Sequence, residues 1–93
     1  MPAAAWAQPG LSPAQQARAG LTPETAIVLP HITDEFHGVV AEHSYIANHF
    51  PTRHLEYQTM LEQNDRRYDV LGMIKPDNTR VALYFDVTGW AGR

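Results

Sequence analysis

Apolar residues recur at helical spacing in one stretch of this chain and at every second position in another. Between Thr33 and Phe50, the residues Phe36, Val39, Val40, His43, Ile46, Ala47 and Phe50 fall in a stripe about 120° wide at roughly 100° per residue. The opposite side carries His37, Gly38, Ala41, Glu42, Ser44, Tyr45, Asn48 and His49. The spacing predicts an amphipathic helix that buries the first set. Thr33 is the expected N-cap, and Asp34 and Glu35 suit the positive end of the helix dipole. Pro51 excludes the α conformation from its predecessor and ends the helix at His49 or Phe50.

Downstream the period falls to two. Val81, Leu83, Phe85 and Val87 alternate with Arg80, Ala82, Tyr84 and Asp86. Three strands are predicted, His54–Gln63, Arg67–Lys75 and Thr79–Val87, joined as a meander at Asn64-Asp65 and Pro76-Asp77-Asn78. Two registers fit. With two-residue turns, Tyr68, Val70, Gly72 and Ile74 line the core with the last strand, joined by Leu55, Tyr57 and Leu61, and Asp69 lies opposite Asp86 on the outer face. With a type I turn and a left-handed Asn78, the pairing changes and the two aspartates separate.

Upstream, residues 1–11 read as an Ala/Pro/Gly-rich tail. Ser12-Pro13, residues Ala14 to Ala19 and Gly20 predict a two-turn helix, and Ala26 to Leu29 a short strand stopped by Pro30. The expected fold is α+β: one main helix on an antiparallel three- to four-stranded β-meander, with a short N-terminal helix. One domain over residues 12–93 is all that 93 residues can build.

Composition narrows the function classes. With 44% hydrophobic and 18% charged residues, the chain is neither a disordered tail nor a membrane protein, and no apolar run reaches the roughly 20 residues of a bilayer span. Seven scattered Lys and Arg at a net charge of −3 argue against nucleic acid as a partner. Without cysteine there is no disulfide, thiolate metal site or thiol nucleophile. Ala5-Trp6-Ala7 before Gln8 has the small-x-small form of a signal-peptidase site, which points to export.

Candidate chemistry is sparse. His37, His43 and His49 lie six apart on one helix, so their rings diverge by roughly 120° and cannot close on one metal. Ser44 beside His43 cannot form a nucleophile–base hydrogen bond across about 100° of helix, and the helix dipole accounts for Asp34 and Glu35. Asp69 and Asp86, if paired, would bind a cation or raise one another's pKa. In the two-turn register Leu71, Met73, Ala82, Tyr84 and Met60 gather on the outer face, a contact surface for the N-terminal segment through Leu11, Ala14 and Leu21, for a second copy, or for a partner. Trp90 lies over a core edge or stands available for recognition.

The stretch from Ala26 to Gly92 resembles a small exported bacterial protein, a domain of unknown function. The likeness rests on Thr25-Ala26-Ile27, Gly38-Val39-Val40-Ala41-Glu42-His43, Tyr68-Asp69-Val70-Leu71, Tyr84-Phe85-Asp86-Val87 and Gly89-Trp90-Ala91-Gly92. It implies a helix-plus-meander fold and a periplasmic or secreted setting, and assigns no activity to any residue. The expected function is non-catalytic binding of a protein or small ligand, without cofactor or metal, through Leu71, Met73, Tyr84, Asp69, Asp86 and Trp90, in a monomer or homodimer. The alternatives are a small metal-dependent or hydrolytic enzyme using surface carboxylates, and a cytosolic inhibitor or immunity-type partner.

Overall fold

The computed structural model describes residues 18–93. One α-helix, α1 (Glu35–His49), packs on a three-stranded antiparallel sheet of β1 (His54–Gln63), β2 (Arg66–Ile74) and β3 (Arg80–Asp86), in the order β1-β2-β3. This is the α+β arrangement the alternating patterns predict. The helix expected over 14–19 lies almost wholly outside the described residues. The strand expected over Ala26–Leu29 is a single parallel bridge, Ile27 to Phe85, following one 3₁₀ turn at Pro23–Thr25.

The cap of α1 falls one residue later than expected. Asp34, extended at φ −146° and ψ 160°, accepts a hydrogen bond from the His37 N–H, leaving Thr33 outside. The chain end locks onto the same turn: Gly92 N–H donates to Glu35 Oε1 and Glu35 N–H to the Arg93 carbonyl, both at 3.2 Å.

The helix buries a different stripe from the one its hydrophobicity suggests. Gly38, Glu42, Tyr45 and Ile46 are buried, while Phe36 and Val40 are 72% and 51% exposed and His43 and Ala47 face water. The buried face is rotated by roughly 100° from the apolar stripe, with Ile46 common to both. Two aromatic contacts set the phase. The Trp90 ring lies directly on Gly38, in space that a Cβ would occupy. The Tyr45 ring meets Phe85 edge-on at 5.5 Å.

At Asn64-Asp65 both residues are left-handed (φ 53° and 61°), the two-residue type I′ turn, with Gln63 opposite Arg66. The second hairpin takes the longer loop. Lys75 N–H donates to the Thr79 carbonyl, Asn78 N–H to the Lys75 carbonyl, and Asn78 sits at φ 69°. Leu71 therefore faces Leu83 and Asp69 faces Phe85. Asp69, Leu71 and Met73 share the helix-covered side with Leu83 and Phe85, and Tyr68, Val70 and Gly72 turn to the reverse side. The core joins these covered side chains to Ile27, Leu29, Tyr45, Ile46, Val87 and Trp90.

Candidate functional site

The six residues expected to form one binding face are divided by this register. Leu71 and Met73 are 0% and 1% exposed beneath the helix, Asp69 is buried beside them, and Trp90 is buried against Gly38. Tyr84 and Asp86 are half-buried on the reverse side. Asp69 and Asp86 point to opposite faces, so they form no carboxylate couple. Of the side chains expected to cover the reverse face, Leu21 is 47% exposed, and Leu11 and Ala14 lie outside the described residues.

The structure brings together a pair that the pattern does not suggest. Glu42 projects from α1 into the core, fully buried, and neither carboxyl oxygen has a hydrogen-bond partner among the described residues. Burial first, and then the neighbouring carboxyl of Asp69, push its pKa from 4.5 to about 10. At neutral pH Glu42 is thus a neutral acid. Its polar surroundings in the sequence place it on the solvated side, and only knowledge that Gly38 faces the sheet brings Glu42, four residues on, underneath.

Other charged groups are engaged locally. Burial works against the charge of Asp86, but hydrogen bonds from Arg66 Nε (2.6 Å), Thr88 Oγ1 (2.7 Å) and Thr88 N–H (3.1 Å) outweigh it and lower its pKa. Asp34 is held low by the His37 N–H and then by the His37 ring, whose Nδ1 lies 2.7 Å from Oδ2. Nδ1 of His43 lies 2.8 Å from the Val39 carbonyl, and His49 stacks on Tyr45 at 4.1 Å. No three His, Asp or Glu side chains gather as a metal site among the described residues. Surface depressions of the described residues include one of about 240 Å³ beneath Tyr57 and the Glu56–Arg80 pair and another of about 370 Å³ at the β1–β2 hairpin tip, lined by polar residues alone. The first sets the Glu56–Arg80 pair beside Tyr57, Met73, Val81 and Ala82 but is smaller than the roughly 300–1,000 Å³ usual for ligand sites, and the second has no apolar lining.

The two edges of the sheet contrast sharply. The β3 edge is closed by main chain: Ile27 N–H donates to the Tyr84 carbonyl (2.9 Å), Asp86 N–H to the Ile27 carbonyl (2.8 Å) and Tyr84 N–H to the Gly20 carbonyl (2.7 Å). Gly20, at φ 84°, permits this approach, since a Cβ there would stand 2.7 Å from Ile27 Cδ1 and 2.9 Å from Leu83 Cδ2. Among the described residues the β1 edge is bare. In a two-residue hairpin the flanking pair, Gln63 and Arg66, exchanges hydrogen bonds, and alternation then turns Leu61, Thr59 and Tyr57 toward β2. Gln58, Met60 and Glu62 direct N–H and C=O outward, where no main chain of the described residues meets them. Leu55, Tyr57 and Met60 are 42–48% exposed along this strand.

Edge strands are ordinarily blunted by lysine, proline, shortness or a bulge. β1 has ten residues without Lys or Pro, and its one irregularity lies at the far end, between Leu55 and Tyr57. Its two glutamates are matched within the chain, Glu56 by Arg80 at 3.0 Å and Glu62 by Arg67 at 3.6 Å. No helix among the described residues is long and apolar enough to cross a membrane. Comparison of the chain with protein-family models, curated proteins and solved structures finds no match.

Proposed function

We propose that this protein is a small non-catalytic binding module, exported to the bacterial envelope, that holds an extended polypeptide as a further strand alongside β1. The observation that carries this reading is the outward row of main-chain groups at Gln58, Met60 and Glu62, which no main chain of the described residues meets. Strand addition draws affinity from such a row and specificity from the side chains beside it, here Tyr57 and Met60. The depressions offer little to a small ligand, and Asp86 is committed to Arg66 and Thr88 rather than free for acid–base work. Export rests on Ala5-Trp6-Ala7 and the resemblance over residues 26–92.

The test is an amide NMR titration with a soluble twelve-residue peptide of alternating valine and threonine, and a copy N-methylated on one edge as control. Shifts and slowed exchange confined to the amides of β1, weaker with the methylated copy, support the reading. Unchanged β1 amides, or shifts centred on Phe36 and Val40 instead, overturn it.

A further inference from the structure

We infer that the strand meeting the β1 edge is β1 of a second copy, paired antiparallel about a two-fold axis beside Met60, so that two three-stranded sheets join into one of six. This rests on the strand-addition reading and names its partner. A two-fold axis normal to the sheet sets one residue against its own counterpart and pairs the others symmetrically around it. Few such registers fit this strand.

Centring on Gln58 sets Met60 against Glu56 of the partner, inside the irregular stretch where residue spacing departs from the ladder. Centring on Thr59 sets Glu56 against the partner's Glu62 twice, a like-charge opposition that destabilises a strand pair. Centring on Leu61 runs Gln58 onto the partner's Asn64, where the chain already turns at φ 53°. Centring on Met60 has none of these faults. The regular segment from Tyr57 to Gln63 is used whole, and the outward groups of Gln58, Met60 and Glu62 make about six main-chain hydrogen bonds.

The side chains agree with that register. Met60, 47% exposed, meets its own counterpart, and Thr59 meets the partner's Leu61. The Gln58 amide stands opposite the partner's Glu62 and can donate to its carboxylate, while Arg67 of the same chain continues to balance that charge. A strand complementary to itself, uncharged at its centre and without proline or lysine, fits a copy of itself better than an arbitrary sequence. A single added strand pair is a small interface, so association on the order of 10–100 μM is expected.

Single cysteines decide the matter, because the chain has none of its own. In a hydrogen-bonded antiparallel pair the two Cα atoms at the axis are about 5.5 Å apart, within disulfide reach. Met60→Cys should oxidise to a covalent dimer at least tenfold faster than Gln58→Cys, whose counterpart lies four positions away. In sedimentation across a dilution series, wild type should reach twice the 10.4 kDa chain mass, and Met60→Lys should weaken that association at least tenfold with its melting temperature nearly unchanged. Wild type monomeric throughout, or equal crosslinking at both positions, overturns the inference. If wild type is monomeric but the valine–threonine peptide still shifts β1, the partner is a foreign strand and the binding reading stands. If β1 responds to neither, both fall.

Discussion

β1 and β2 are neighbours in one sheet, similar in length and bonded along their whole extent, yet they occupy different surroundings. From Tyr68 to Met73 every β2 residue is buried, whereas β1 has only Leu61 partly covered. The cause lies in what flanks them. β2 is enclosed by strands on both sides; α1 covers its Asp69, Leu71 and Met73, with Glu42 beside Asp69, and on the reverse side the Tyr57 ring lies over Gly72. Among the described residues β1 is held by β2 alone, and no main chain meets its other edge. A meander this small can close one edge with a passing segment, here Gly20 to Ile27 against β3, and among the described residues the β1 edge has no such cover.

The largest test of that contrast removes one aromatic ring from each half. Phe85, fully buried against Tyr45 and Ile27, should lose about 3–5 kcal/mol on substitution by alanine, through lost transfer energy and the cavity left behind. Tyr57, half-exposed over Gly72, should lose about 1 kcal/mol or less. Urea denaturation of the two variants measures the gap. Equal losses would mean that β1 is as firmly built as the interior.

Next in size is a pH effect of unusual sign. Native Glu42 keeps its proton up to about pH 10, whereas in the unfolded chain it releases it near 4.5. Between those values the unfolded state binds fewer protons, so stability falls as pH rises, by about 1.4 kcal/mol per unit for one fully linked group. From pH 4.5 to 7 the loss is on the order of 3 kcal/mol. Glu42→Gln should abolish this slope and be more stable than wild type at pH 7 and above. Asp86 acts in the opposite direction: its pKa is lowered, so its contribution is present above the ordinary carboxylate value and disappears as pH falls through the depressed one. Arg66→Ala should therefore flatten the acid limb and lower stability slightly at neutral pH through the lost 2.6 Å ion pair. Midpoints measured from pH 3 to 9 in the three proteins separate the limbs. A wild-type stability that rises toward pH 8 would show that Glu42 is ionised in the native state.

What the sequence reveals of this molecule is what neighbouring residues decide. The limits of β1 follow from Pro51 and the Asn64-Asp65 turn, and the extent of α1 from its acidic first turn and the same proline. The phase of α1 does not, because Phe36 and Val40 carry more hydrophobicity than Gly38 and Glu42. Burial there is set by the shape of Trp90, 52 positions along the chain, which needs a residue without a side chain beneath it. The second hairpin is undecidable locally for a similar reason: Pro76-Asp77-Asn78 suits both loop lengths, and the choice falls to which face of β2 fits under the helix. That choice buries Asp69 and, with the phase of α1, creates the Glu42 pair. The bare edge was half legible, since a meander must leave its first strand outermost unless an upstream segment returns to it. The described upstream segment, Gly20 to Ile27, returns to β3 instead.

Two glycines extend the contrast to smaller effects. Each lies directly beneath an aromatic ring, Gly38 under Trp90 and Gly72 under Tyr57, and at each a Cβ would enter the ring's space. The outcomes should differ because the rings differ in freedom. Trp90 is 4% exposed, and the turn around it is tied by its own N–H to the Val87 carbonyl and by the Ala91 N–H to the same acceptor. Gly38→Ala gains about 1 kcal/mol in helix propensity but must displace a packed indole, an overpacking cost of about 1–3 kcal/mol. It should destabilise, with the Trp90 fluorescence shifted to the red as the ring moves toward water. Tyr57 has solvent to turn into, and alanine is better than glycine in a strand by roughly 0.5–1 kcal/mol, so Gly72→Ala should lie within about 0.5 kcal/mol of wild type. A Gly72→Ala loss as large as that of Gly38→Ala would mean that the Tyr57 ring is pinned, and that the β1 side of the sheet is covered in solution.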